Sequence, residues 1–270
     1  MEKASPGTLA SSELLRAQLE KRGSMMEAWL RWSSQFNLRR VRLVSNLKNL
    51  IVSPGCKPRR ILAGPFRGIV MDLSLHYQTQ VYLGLFEKET HSWLNRLCEG
   101  ISTAVDIGVA QGEYTIYFLA KTKATKVFAF EPDVSCIPLL EENLKLNKLA
   151  QSDRLEVSTK FVGVSDTEQE IRLDSLVESI HTPCFVKMDV DGAEEHILRG
   201  AKTFNSLPDV RWLIETHSKE LEVACEGILR TAGFQTRIIP NAWWRLVVPE
   251  LRPGGHNRWL AAWNSEKPRP

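Results

Sequence analysis

The sequence lacks any apolar run long enough to cross a membrane, and its first residues contain no apolar core of a secretory signal. A membrane helix needs about 18 consecutive apolar residues, whereas the mean hydropathy here is -0.21. Hydrophobic residues make up 43% of the 270 residues and charged residues 25%, the usual balance of a globular protein. A membrane span, wholesale disorder, collagen and coiled coil are therefore excluded, and a cytoplasmic location is expected.

Cysteine is scarce and irregularly placed. The five cysteines, Cys56, Cys98, Cys136, Cys184 and Cys225, are odd in number, and no two of them form a CxxC pair. A disulfide framework and a zinc ribbon both require regularly spaced sets, so neither is expected. The interpretation is free thiols, buried or partly buried, in a reducing compartment.

Charge is distributed unevenly along the chain. Residues 1–70 hold 13 Lys+Arg and 4 Asp+Glu, a balance of +9, whereas residues 71–270 hold 22 and 28, a balance of -6. Within this basic arm (1–70), apolar residues at helical spacing predict helices over about 11–32 and 38–52. A basic amphipathic helix can bind a membrane surface or nucleic acid, or it can cover the next domain as a lid.

From Ser102 onward, short apolar runs alternate with helical patterns. The predicted strands are 102–108, 126–131, 155–164, 185–189, 210–216, 234–239 and 258–263. The predicted helices are 112–121, 134–147, 193–204 and 219–232. Upstream, we expect two short strands around Gly64-Pro65 within 60–75, then a helix over 86–97. This alternation predicts a doubly wound parallel sheet, whose ligands bind beyond the carboxyl ends of its strands.

The chain is expected to consist of three segments. Residues 1–60 form a basic, mainly helical extension, residues 61–100 a strand pair and a helix, and residues 101–265 the α/β domain. The extension has three candidate roles, namely acceptor selection, docking, or cover for the sheet. The sequence leaves these alternatives open.

The first chemical motif is DIGVAQG (106–112), between the first strand of the α/β domain and its helix. Small residues at Gly108, Ala110 and Gly112 allow the backbone to approach a ligand, and the amides at the helix start can hold a carboxylate or phosphate. The dinucleotide fingerprint GxGxxG is absent, which disfavours a dehydrogenase. Asp106 would repel a pyrophosphate but would suit the ammonium end of an amino-acid-like ligand.

The second motif is FEPD (130–133), at the end of the next strand. An acid about 20 residues after the glycine turn is placed to accept hydrogen bonds from ribose hydroxyls. Glu131, followed by Pro132, is the candidate for that role. Asp133 is instead expected to cap the following helix.

These motifs and the strand spacing resemble the Rossmann-like S-adenosylmethionine-dependent methyltransferases, and further segments resemble the FkbM-type family among them. Those segments are YLGLFE (82–87), LDSL (173–176), VKMDVDGAE (186–194), ILRGA (197–201) and IETH (214–217). The resemblance covers about residues 80–240, and DVDGAEEHILRGA is its most specific part. The family turn usually reads DxGANxGxYT, so Val109 is a departure. The segment between Asp166 and Leu173 is short for the family, and residues 1–70 have no counterpart in it.

The resemblance implies a fold, a cofactor and a set of binding residues. The fold is α/β of the Rossmann-like class I methyltransferase type, a doubly wound, mostly parallel, seven-stranded sheet with an N-terminal helical extension. The cofactor is S-adenosylmethionine. Asp106, Gly108 and Gly112 would surround its methionine part, with Ala110 in the same turn and Tyr114 and Thr115 opening the helix beside it. Glu131 and Pro132 would lie at the ribose, Ser165 and Asp166 at the adenine edge, and Asp189 near the sulfonium.

Methyl transfer to a hydroxyl also requires removal of a proton. His217 is the candidate general base because its unperturbed pKa lies near neutrality. Asp189 and Asp191 are candidates to orient the acceptor. Asp189, Asp191 and Glu215 could also hold Mg²⁺, since oxygen-rich clusters suit that ion, although acids at a helix start also serve as ordinary caps.

The leading hypothesis is an O-methyltransferase whose acceptor is a hydroxyl of a sugar, a glycan or a secondary metabolite. The alternatives are an RNA ribose methyltransferase that uses the basic arm, and a catalytically inactive cofactor-binding or assembly protein. The turn DVDG (189–192) replaces the Asn/Asp-Pro-Pro-aromatic turn of many base N-methyltransferases, and we take nucleic acid as the disfavoured partner. Homo-oligomerisation remains open. The tryptophans Trp243, Trp244, Trp259 and Trp263 are expected either in the core or in an acceptor wall.

Overall fold

A computed structural model describes residues 48–52, 55–242, 245, 256 and 258–265. The chain divides into two units, residues 1–51 and residues 52–270. The described part of the first unit, 48–51, is helical and exposes Leu50 and Ile51. The predicted helix over 11–32 and most of the one over 38–52 lie outside the described residues.

The second unit alternates strands and helices from residue 103 onward. The strands are β1 (Cys56–Arg60), β2 (Val70–Ser74), β3 (Thr103–Ile107), β4 (Lys126–Phe130), β5 (Leu155–Ser158), β6 (Phe161–Val162), β7 (Glu170–Ile171), β8 (Cys184–Met188), β9 (Val210–Thr216), β10 (Gln235–Ile239) and β11 (Arg258–Trp263). The helices are α1 (Thr79–Leu83), α2 (His91–Leu97), α3 (Glu113–Lys121), α4 (Ile137–Leu146), α5 (Glu194–Arg199) and α6 (Lys219–Thr231). Three short 3₁₀ helices join them, over Lys88–Thr90, Leu173–Ser179 and Phe204–Ser206.

Seven strands form one sheet in the order β10-β11-β9-β8-β3-β4-β5. Strand β11 is antiparallel to both of its neighbours, and the other pairs in this sheet are parallel. Every residue of β3, β8 and β9 is buried, as expected for strands covered on both faces. The predicted fold class, a doubly wound, mostly parallel, seven-stranded α/β sheet, is therefore confirmed.

Two apolar clusters lie on the two faces of this sheet. Side chains of α2, α3 and α4, among them Leu94, Phe118 and Leu140, pack on one face. Side chains of α5 and α6, among them Ile197 and Leu229, pack on the other. Because successive strand residues point to opposite faces, each central strand contributes to both clusters and fixes the helices on either side.

The predicted third strand, 155–164, is wrong in extent. β5 ends at Ser158, whose side-chain oxygen accepts a hydrogen bond from the backbone amide of Lys160 at 3.2 Å. Such a local bond competes with the sheet and turns the chain. The next residues, Phe161–Val162, pair instead with β7 in a separate two-stranded sheet.

Two predicted helices are shorter than expected. The helix over 86–97 begins as a 3₁₀ turn at Lys88, because Glu87 adopts a left-handed backbone conformation (φ 45°) that no helix can run through. The helix over 193–204 ends at Gly200, where the chain packs directly on the backbone of Gly163. A Cβ at Gly200 would lie 1.9 Å from the Gly163 carbonyl oxygen.

The predicted strand pair is present but begins earlier than expected. β1 starts at Cys56 and pairs antiparallel with β2, and residues 61–69 form the connection around Gly64-Pro65. Trp259 and Trp263 lie in β11 and are buried in the core, whereas Trp243 and Trp244 lie outside the described residues. All five cysteines are free thiols; four are buried or partly buried, as predicted, whereas Cys56 is exposed.

Among the helices in the described ranges, none is both long enough and apolar enough to cross a membrane.

Candidate functional site

A cavity of about 550 Å³ opens beyond the carboxyl ends of β3, β4, β8 and β9. Eight of the predicted site residues line it, namely Gly108, Ala110, Glu131, Pro132, Asp189, Asp191, Glu215 and His217. Parallel strands bring their carboxyl ends to one edge of a sheet, which is why residues so far apart in sequence meet here.

The glycine turn after β3 forms one wall of the cavity. Gly108 has φ 84°, and a Cβ there would lie 1.8 Å from the carbonyl oxygen of Asp189. Across the same contact, the amide of Asp189 donates to the carbonyl of Ile107 at 2.9 Å. Glycine is thus required at 108 both for its backbone conformation and for the approach of β8.

Glu131 is fixed to this turn by the backbone. Its Oε2 accepts from the amide of Ala110 at 2.8 Å, and its Oε1 accepts from the amide of Asp133 at 2.9 Å. The end of β4 is thereby tied to the turn after β3, with the carboxylate at the cavity wall. Each carboxylate oxygen retains a further lone pair for a ligand hydroxyl.

Four predicted cofactor residues, Asp106, Gly112, Tyr114 and Thr115, lie behind the cavity lining rather than in it. Asp106 is 1% exposed and accepts a hydrogen bond from the Thr115 hydroxyl at 2.6 Å. Burial raises the pKa of Asp106 to about 7, against the opposing effects of the Thr115 hydrogen bond and the charge of Lys187. The hydrogen bond between Asp106 and Thr115 therefore joins β3 to helix α3, the two elements that flank the glycine turn.

The predicted adenine-edge residues, Ser165 and Asp166, also lie outside the cavity lining. Asp166 is instead bound by Arg172, at 2.8 Å, and by the hydroxyl of Ser175. Hydrogen bonds from the Arg172 amide and from these side chains lower the pKa of Asp166 to about 2. The corresponding wall of the cavity consists of Lys160, Phe161 and Val162, which follow the point where the predicted third strand breaks.

His217 lies at the centre of a group of carboxylates. Its Nδ1 is 2.7 Å from Oε1 of Glu194, a side chain with no exposed surface. Its Nε2 is 3.5 Å from Asp191, 3.6 Å from Asp189 and 4.0 Å from Glu215. A carboxylate can only accept, so Nδ1 carries the hydrogen, and in the neutral ring Nε2 is the free acceptor on the side of the cavity.

This environment raises the pKa of His217 above its ordinary value. The hydrogen bond to Glu194 is the largest cause, and the charges of Asp189 and Glu215 add to it, whereas burial opposes it. A raised pKa in the folded state means that this group stabilises the protein below the unfolded pKa, near 6.5. That contribution is lost as the pH rises through the folded value.

Two residues of the site, Lys187 and Glu87, have no role assigned to them from the sequence. Lys187 is fully buried in β8, with Nζ 3.4 Å from Asp189, 4.0 Å from Glu87 and 4.8 Å from the ring centre of Tyr114. Burial alone would lower its pKa, but the surrounding carboxylates outweigh burial and raise it. Glu87 also accepts a hydrogen bond from the Tyr114 hydroxyl. Lysine inside an otherwise apolar strand (FVKM) was the available signal for this network, since charge is buried only when paired.

The predicted Mg²⁺ ligands are only partly brought together. One donor atom each from Asp189, Glu215 and His217 lie within 4.8 Å of one another. Asp191, the third predicted ligand, is not part of this group, which contains instead the predicted base His217. In addition, Asp189 is already near the Lys187 ammonium. We derive no chemical step through a metal.

No protein-family model and no curated protein matches the chain. Among solved structures, methyltransferase FkbM from Methylobacillus flagellatus is similar, with 19% identity over 60% of this chain and a TM-score of 0.49. The chain matches 43% of that protein's length. An rRNA methylase from Streptococcus thermophilus is similar over 66% of this chain and 96% of its own, with 13% identity and a TM-score of 0.45. An O-methyltransferase from Bacillus cereus in complex with SAH is similar over 65% and 80%, with 16% identity and a TM-score of 0.43.

The close approach at Gly108 leads to a prediction with a matched control. Gly108→Ala should destabilise the protein by about 3 kcal/mol or more, because it adds backbone strain and a clash with Asp189. Gly192 also has a positive φ (94°), but a Cβ there would meet open space. Gly192→Ala should therefore lower the free energy of unfolding by only about 1 kcal/mol. Chemical denaturation of both variants measures the difference. Equal losses would contradict the clash.

The contact between Glu194 and His217 leads to a second prediction. Glu194→Gln removes the charge bonded to Nδ1, so the pKa of His217 should fall toward its ordinary value. Glu195→Gln alters the next residue of the same helix, which pairs with Arg199 instead, and it should leave the His217 titration unchanged. NMR titration of the imidazole signals tests both. A His217 pKa insensitive to Glu194→Gln would show that this hydrogen bond is not formed in solution.

Proposed function

We propose that this chain is an S-adenosylmethionine-dependent methyltransferase that methylates a hydroxyl of a sugar, a glycan or a secondary metabolite. One observation carries the proposal. The glycine turn after β3 and Glu131 after β4 meet through a single hydrogen bond at the wall of the cavity. A ligand with an amino-acid end and a ribose needs backbone amides and a carboxylate side by side, and the resemblance to FkbM-type methyltransferases supports the same assignment.

The cofactor side of the cavity would be built from four places. The backbone at Gly108 and Ala110 would face the methionine part, and Glu131 would accept hydrogen bonds from the ribose hydroxyls. Phe161, whose side chain is exposed at the cavity, offers an apolar surface for the adenine ring. Lys187, whose ammonium also lies near Glu87, would hold Asp189 in place. Bound S-adenosylmethionine supplies the activated methyl group, and the protein supplies position and electrostatics.

His217 would take the proton of the acceptor hydroxyl at Nε2. Glu194 fixes the tautomer and the ring orientation, and it stabilises the imidazolium that forms, as a carboxylate does behind a catalytic histidine. The raised pKa of His217 means that the neutral, competent form becomes more populated as the pH increases. Asp189 and Asp191 lie within 3.6 Å of Nε2 and would orient the hydroxyl beside it.

The lining of the cavity restricts the acceptor. Five carboxylates line it, those of Glu87, Glu131, Asp189, Asp191 and Glu215, against the cations Lys160 and His217. A phosphate next to the reacting hydroxyl would be repelled by this excess of negative charge. This supports a neutral polyhydroxyl acceptor over the ribose of RNA, whose hydroxyl is flanked by phosphates.

Cofactor binding is the first test. Isothermal titration calorimetry should detect S-adenosylmethionine binding to the wild-type protein, and Glu131→Gln should weaken it by about tenfold or more, because a charged acceptor of hydrogen bonds is lost. Glu156→Gln is the matched control, since Glu156 lies on neighbouring β5 and pairs with Lys126 at the surface. Absence of wild-type binding below millimolar concentration would reject the proposal.

Methyl transfer is the second test. With labelled cofactor and a pool of glycans or metabolites, mass spectrometry should detect a methylated product. His217→Gln should lower the transfer rate by about 10²-fold or more and leave cofactor binding nearly unchanged. His196 is an exposed histidine of α5 that pairs with Glu170. The control His196→Gln should therefore retain the wild-type rate. The wild-type rate should rise with pH through the raised pKa of His217, and a normal rate in His217→Gln would assign the base elsewhere.

A further inference from the structure

A second concavity, of about 540 Å³, lies apart from the cavity described above. It is lined by Arg60, Ile61, Leu62, Arg67, Gly68 and Lys121, none of which lines the first cavity. Helix α3 begins beside the glycine turn and ends at Lys121 after nine residues, a rise of about 13 Å. The two concavities therefore lie toward opposite ends of one helix.

Three cations converge on this second concavity, which we call the basic groove (Arg60, Arg67 and Lys121). They come from the end of β1, from the connection between β1 and β2, and from the last turn of α3. Arg60 Nη1 donates to the carbonyl of Gly68 at 3.2 Å. The Lys121 ammonium lies over the same residue, 3.8 Å from where a Cβ of Gly68 would be. Arg60 and Lys121 thus both lie beside Gly68, which is itself part of the lining.

The cations of the basic groove have no oppositely charged partner within the described ranges of the chain. No carboxylate lines the groove, and no ion pair within the described residues involves Arg60, Arg67 or Lys121. Lys121 also complements the carboxyl-terminal end of α3, so it would not indicate a ligand by itself. The two guanidinium groups beside it have the fork geometry that matches phosphate oxygens.

We propose that the basic groove binds a phosphate group. The chemical class is a phosphomonoester or pyrophosphate, carried either by a soluble molecule or by a lipid headgroup. Leu62 forms part of the same lining and is 50% exposed, so an apolar part of the ligand can rest beside the phosphate. The acidic lining of the first cavity, in contrast, would repel such a group. The proposal does not depend on the proposed methyltransferase function.

The test uses the full-length protein and inorganic pyrophosphate. Titration calorimetry at about 50 mM salt, where surface charges are weakly screened, should show saturable binding. The double variant Arg60→Gln/Arg67→Gln should weaken that binding by about tenfold or more, since it removes both guanidinium groups. The control Lys202→Gln/Arg237→Gln removes two exposed charges and should stay within about twofold of the wild type, because neither residue lines the groove.

Vesicles distinguish the two sources of phosphate. If vesicles of phosphatidic acid displace pyrophosphate from the wild type and vesicles of phosphatidylcholine do not, the ligand is a lipid headgroup; if neither displaces it, the ligand is soluble. Either result supports the groove only when Arg60→Gln/Arg67→Gln has lost the binding. Undetectable pyrophosphate binding, or an equal loss in the control, overturns the proposal. Thermal unfolding verifies that each variant folds. If the double arginine variant does not fold, Lys121→Gln takes its place in the test. Cofactor titration on the same samples tests the methyltransferase assignment separately.

Discussion

The arrangement of the site depends on one steric constraint, the contact between the turn after β3 and the end of β8. Gly108 has no side chain, so the carbonyl of Asp189 occupies the space that a Cβ would need. This allows two parallel strands to end side by side, with the glycine turn on one and an acidic turn on the other. The positions of Glu131, Asp189 and His217 around a single cavity all follow from that approach.

Buried charge then fixes the orientation of the side chains on this frame. Lys187 stands among the carboxylates of Glu87 and Asp189, and Glu194 holds the far side of His217. Removing one member of such a set leaves another buried charge uncompensated, which costs far more than the pair contributes. The network therefore specifies the positions of these side chains more than it adds stability. The surroundings of His217 depend on several packed segments and not on β9 alone.

Much of the fold could be predicted from the sequence, because its strands are short apolar runs with turn residues between them. The errors occur where a local contact outweighs periodicity, as with the Ser158 side chain that ends β5 and the left-handed Glu87 that shortens the following helix. For the site, residues at strand ends could be placed, since topology brings those ends together. The role of Lys187 could not be predicted, because the partners of a lysine in a strand are known only once three segments are packed together. Asp166 resembled a ligand residue, but Arg172 six positions later already binds it, a pairing that spacing alone does not reveal.

The fold also shows where the unevenly distributed charges of the chain lie in space. Five carboxylates of the acidic part of the chain line the cavity, and two cations of residues 1–70, Arg60 and Arg67, line the basic groove. Within the part of the chain that the structure describes, opposite charges thus lie toward the two ends of α3. A phosphate would be attracted to the basic groove and repelled by the carboxylates of the cavity, whereas a neutral hydroxyl acceptor can enter the cavity. The charge distribution would therefore direct the two kinds of ligand to separate sites.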